Sequence, residues 1–212
     1  MKKAFTLNEL LLALVIIGII IVIVAPKVIS NMDKKTKVVA LEKTYTSISK
    51  AVKLLMIDER ARKTSRTSLY NPDSTLEATT GEFVKKYLNV IKDCGTESGE
   101  CFATSYVNLA KTEITGFPVD EGFYCATISG GASICMDQIQ SDNNAAKIYI
   151  DVNGPEKPNI AGRDFFLMYL YDDGFLGDRV SGDGSEVAVC KANQYGSGCI
   201  NRIQNSNWVM DY

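Results

Sequence analysis

Glu9 stands directly before residues 10–25, a run with no polar side chain at all. An ionised carboxylate held at mid-bilayer costs on the order of 3 kcal/mol or more. A chain that needs only an anchor has no use for it. A subunit that meets a cationic partner inside the membrane does, because pairing recovers most of the desolvation cost. The alternative reading of Glu9 is a polar residue snorkelling to the interface near a helix end.

The six cysteines, Cys94, Cys101, Cys125, Cys135, Cys190 and Cys199, form an even set. No pair has the spacing of a zinc knuckle or a thioredoxin-type site, and the chain contains no histidine to complete a zinc site. The set points to disulfides in an oxidising compartment. Nearest-neighbour pairing is favoured, because each bridge then closes a short local loop. The missing histidine also removes the commonest general base and the middle member of a hydrolytic triad, so the chain reads as a non-enzyme. A third group is the loop carrying Asp151, Asn153 and Asp164, whose oxygens could hold calcium. The spacing of a helix–loop–helix calcium site fails, since Gly162 stands where its closing Glu belongs. A long turn fixed by Asx hydrogen bonds and prolines is the preferred reading.

The elements that position these groups follow from hydropathy. Residues 5–25 form an apolar helix of 21 residues, about 31 Å at roughly 1.5 Å per residue, enough to span a hydrocarbon core. No small-residue cleavage site follows it, which argues against an ordinary secretory signal. A helix resumes near Ser30, where Val38, Leu41, Tyr45, Ile48, Val52 and Leu55 keep a sustained heptad stripe. A coiled coil is possible; a helix packed on a sheet is preferred. Arg60, Arg62, Lys63 and Arg66 end the stripe as a basic tip, read as a solvated helix end in preference to a ligand site. A short amphipathic helix at 82–91 interrupts a loop-rich connection. Strand-like runs follow at 102–109, 122–128, 132–136, 146–152, 165–171 and 186–191. The order, helix first and strands after, is an α+β class with an antiparallel sheet over a long N-terminal helix. If Cys125 bonds Cys135 across a hairpin, a three-residue loop of Ser129, Gly130 and Gly131 aligns them; a two-residue Gly130-Gly131 turn places Cys125 on the wrong face. With 25 acidic against 23 basic residues, net charge is −2. General nucleic-acid binding is therefore not expected, and only a local patch could serve a polyanion.

The N-terminal residues Lys3-Ala4-Phe5-Thr6-Leu7-Asn8-Glu9-Leu10-Leu11 resemble the type IV prepilin family, which includes type IV pilins and the pseudopilins of type II secretion systems. The resemblance covers residues 1 to about 57, with Gly18 and Pro26 standing where such helices carry their helix-weakening residues. Ala4 departs from the usual Gly before the cut. The resemblance implies cleavage between Ala4 and Phe5 by a prepilin peptidase, N-methylation of Phe5, and assembly through Glu9, which a neighbouring subunit's freed amine would neutralise. It implies the division 1–4 leader, 5–29 transmembrane and assembly helix, 30–65 amphipathic stalk helix and 66–212 disulfide-containing head. Expected partners are other pilins or pseudopilins, the peptidase and methyltransferase, an inner-membrane assembly platform and the membrane itself. No cofactor is expected beyond a structural calcium, which some pseudopilins carry. The loop from Cys190 to Cys199 is similar to the C-terminal disulfide loop of many pilins. Within the family the chain reads as a filament subunit; the alternative is a minor tip pilin that binds DNA, surfaces or a secreted substrate.

Topology carries a conflict. Lys2 and Lys3 precede the apolar helix, while Lys27, Lys34, Lys35 and Lys37 follow it, which by the positive-inside rule would retain the head in the cytoplasm. The cysteines and the prepilin resemblance place the head on the periplasmic or extracellular side, as a single-pass inner-membrane protein before assembly, and that side is the expectation adopted.

Overall fold

The computed structural model describes residues 7–114, 122–138, 146–178, 189–192 and 196–212. Helix α1 runs from Leu7 to Asp58. It contributes to two compact units, Met1–Thr36 and Lys37–Tyr212. In the first unit α1 passes through Pro26 without a break, so the expected restart at Ser30 is not seen. Proline removes one helix hydrogen bond, but long apolar helices tolerate the loss.

In the second unit, the head, α1 packs on an antiparallel sheet. The sheet comprises β1 (Val90–Gly95), β4 (Phe123–Ile128), β5 (Ser133–Asp137), β6 (Ala146–Asp151), β7 (Phe165–Leu170) and β8 (Leu176–Gly177), in the order β1-β4-β5-β6-β7-β8. A two-stranded ribbon, β2 (Tyr106–Val107) with β3 (Glu113–Ile114), lies outside it. The long helix with its antiparallel sheet makes the chain α+β, as the sequence order required. Val38, Leu41, Ile48, Val52 and Leu55 are buried in one core with Ala126, Ile134, Ile148, Ile150, Phe166, Met168 and Leu170. The heptad stripe is thus a sheet-packing face within this chain. Burying each such side chain stabilises by roughly 1.5–3 kcal/mol.

Side chains alternate across strands, and the opposite parity builds a second core. Cys101, Phe102, Tyr106, Ile114, Cys125, Cys135 and Phe165 form it. The expected strands at 122–128, 132–136, 146–152 and 165–171 are β4 to β7 within a residue or two. The run at 102–109 shortens to β2. Of that at 186–191, residues 186–188 lie outside the described residues and 189–191 form no strand.

Two boundaries differ from the sequence reading. The amphipathic helix at 82–91 stops early: α2 covers Glu82–Tyr87, and β1 begins at Val90. Val90 pairs with Ile128 and Lys92 with Thr127, and β-branched residues facing a free sheet edge favour the ladder over a further helical turn. The long helix ends at Asp58 rather than continuing to 65. Arg60 takes φ 53°, and its N–H donates to Ile57 O while that of Ala61 reaches back to Met56 O, a reversal that closes the helix.

Candidate functional site

Glu9 lies at the start of the described part of α1, directly before its apolar run. Residues 10–24 after it are all exposed, with Leu12 at 62%, Ile16 at 49% and Val22 at 74%. α1 holds an 18-residue window of mean hydropathy 3.0, none of it buried. This helix is long and apolar enough to cross a membrane once, and exposed apolar area on this scale demands a cover. A Cβ on Gly18 would meet nothing within 4 Å, so packing within one chain gives no reason for glycine there. Ala4 and Phe5 lie outside the described residues. Pro26 sits inside α1 as described above.

All six cysteines are paired as nearest neighbours: Cys94–Cys101, Cys125–Cys135 and Cys190–Cys199. In the hairpin, Cys125 stands directly opposite Cys135, with Ala126 opposite Ile134 and Thr127 opposite Ser133. Ser129, Gly130 and Gly131 form the connection, and both glycines have positive φ, 105° and 87°. That is the three-residue loop the cysteine alignment required. Cys190–Cys199 joins the chain before α3 (Cys199–Asn205) to its first residue.

In the acidic loop each carboxylate has its own set of partners. Asp151 faces the second core, accepting from Tyr106 Oη at 2.5 Å and from the Asn153 N–H at 3.1 Å. Burial pushes Asp151 up to about 7. Asp164, fully buried, accepts from the Ile160 N–H, and Lys37 Nζ of α1 lies 3.6 Å from its Oδ2. Burial raises Asp164 as well, opposed by that N–H and by Lys37. Asn153 Nδ2 donates to Glu156 O; its Oδ1, like that of Asn159, is buried without a hydrogen-bond donor among the described residues. The two carboxylates therefore look to different partners, and at Asp164 an ammonium already supplies the positive charge a calcium ion would bring. Among the described residues no group of three or more acidic, cysteine or histidine side chains could hold a metal ion.

Sequence reading missed two buried charged residues of the head, Lys37 and Asp178. By its place in the sequence Lys37 is one more juxtamembrane charge, yet its side chain is 7% exposed. The signal was present: Lys37, Leu41, Thr44, Ile48, Ala51 and Leu55 continue one helical face, and all are buried. Asp178 accepts from the Asn201 N–H at 3.2 Å beside the start of α3, and burial pushes it up to about 7. Nothing in its neighbourhood in sequence signals this.

No protein-family model, curated protein or solved structure matches the chain. What stands is the arrangement itself: a long apolar N-terminal helix followed by an antiparallel, disulfide-linked sheet, which is compatible with a pilin-like fold.

Proposed function

We propose that the chain is a structural subunit of a type IV pilus or a type II secretion pseudopilus. It is stored in the membrane through α1, cut between Ala4 and Phe5, and polymerised through the apolar helix. The observation that carries this reading is the exposed apolar surface of α1 over residues 10–24 with an acid, Glu9, directly before it. An anchor alone accounts for the apolar surface but not for the acid. Cleavage would create an amine on Phe5, four residues before Glu9, and a neighbouring subunit's amine would then neutralise that carboxylate. The open surface around Gly18 suits close approach of a second helix, as small residues do in membrane bundles.

The test is Glu9→Ala in the native host, scored separately for membrane insertion and for filament incorporation. Insertion is expected to be unchanged. Leaving the amine buried without its partner costs on the order of 2–5 kcal/mol, so incorporation falls at least about ten-fold. Equal incorporation of the variant and the unmodified chain overturns the role given to Glu9. Intact mass of the mature protein that still includes Met1 overturns the processing step.

A further inference from the structure

The loop that closes α1 carries an unneutralised group of arginines. The chain has six arginines against seventeen lysines, and half of the arginines fall at positions 60, 62 and 66. Arg60, Arg62 and Arg66 are exposed and, with Glu59 and Ala61, line one concavity. The last turn of α1 contains no basic residue, so compensation of the helix dipole, which acts within that turn, does not account for them. Arg60 even occupies a left-handed position where glycine is usual, at a cost of roughly 1–2 kcal/mol.

The loop is held firmly. The Thr64 N–H donates to Asp172 O at 2.8 Å, the Ser65 N–H to Asp172 Oδ1 at 3.0 Å, and Thr64 Oγ1 to Tyr171 O at 3.1 Å. The nearby carboxylates are engaged elsewhere. Glu59 accepts from the N–H and hydroxyl of Ser68 at 2.7 and 2.6 Å, and Asp172 pairs with Lys63 at 2.7 Å. Among the described residues no ion pair includes Arg60, Arg62 or Arg66.

We infer that this arginine loop is a binding surface for the phosphodiester backbone of a nucleic-acid strand. Guanidinium groups present paired donors that match phosphate oxygens two at a time, which an ammonium does not. Exposed guanidiniums along a fixed loop suit the repeating phosphates of a strand; a single small anion would need buried donors. The chain's net charge of −2 confines the interaction to this patch. The inference stands apart from the assembly reading, because it uses only the head.

The test uses the full chain in neutral detergent micelles with a short fluorescent single-stranded oligodeoxynucleotide, titrated at several salt concentrations. Three phosphate contacts on a single strand give a slope of log affinity on log salt of about −2, so raising salt four-fold weakens binding about sixteen-fold. Each single Arg→Ala change at 60, 62 or 66 is expected to reduce the slope by about 0.7. The triple Arg→Ala variant loses measurable binding while its melting temperature is retained. Arg60→Lys/Arg62→Lys/Arg66→Lys keeps the charge but loses the paired donors, and is expected to bind several-fold more weakly than the unmodified chain. Binding that survives the triple Arg→Ala change overturns the inference. So does equal affinity of the lysine variant, or a sulfated polysaccharide that binds as tightly as the oligonucleotide.

Discussion

Replacing Lys37 by Met removes the cation beside Asp164 and keeps most of the buried stem. The partner carboxylate is fully buried, and the pair lies at 3.6 Å. Breaking one side of a buried ion pair costs about 3–5 kcal/mol, because the remaining charge has no compensation. For a head of this size each kcal/mol shifts the melting temperature by roughly 2–4 °C, so a drop of about 6–20 °C follows. The penalty depends on pH in a defined direction. Burial already raises Asp164, and Lys37 opposes that rise; without Lys37 the carboxyl holds its proton to higher pH. Lowering the pH therefore protonates the stranded carboxyl and returns part of the lost stability. Asp164→Asn in the Lys37→Met background keeps an acceptor for the Ile160 N–H and is expected to restore most of it at neutral pH. The assay is thermal unfolding of the full chain in neutral detergent. Trp208, the sole tryptophan, serves as reporter, since it packs edge-on against Tyr45 of α1 with ring centroids 5.7 Å apart. A Lys37→Met variant that melts within about 2 °C of the unmodified chain, less than one kcal/mol by the same conversion, or one whose deficit does not shrink on acidification, refutes the reasoning.

Further outcomes follow from the head. Burial pushes Asp137, Asp151 and Asp178 each up to about 7, against about 3.9 in an unfolded chain. The folded head holds protons that the unfolded chain has released, so its stability falls as pH rises from about 4 to about 7. Melting temperatures across that range check the slope, and Asp178→Asn is expected to flatten it. Gly196 has φ 82°, and a Cβ there would lie 3.0 Å from Gly162 N and 3.0 Å from Phe165 O. Both obstacles are backbone, so Gly196→Ala is expected to destabilise by roughly 2–4 kcal/mol from strain plus displacement, measurable by urea unfolding.

Several features were legible in the residues alone. The apolar helix with Glu9 at its start needs only hydropathy and the cost of a charge in lipid. The disulfide pairs follow from proximity along the chain, and the register of β4 on β5 follows from requiring Cys125 and Cys135 to share a face. These properties are local: neighbours in sequence determine them, so spacing suffices. The helix face that packs on the sheet is local in the same way, since its period of about 3.6 is carried by consecutive residues.

Tertiary structure decided what depends on distant partners. Val90 suits a helix by pattern, and became part of β1 because the edge of β4 was free to pair with it. Asp151 and Asp164 share a loop and a chemistry, yet the sheet turns one toward Tyr106 and the other toward Lys37. Lys37 itself reads as one more charge beside a membrane until α1 lies on the sheet and carries it against Asp164. Whether a charge is solvated or buried is a property of what the rest of the chain places around it, and hydropathy along one segment holds no record of that.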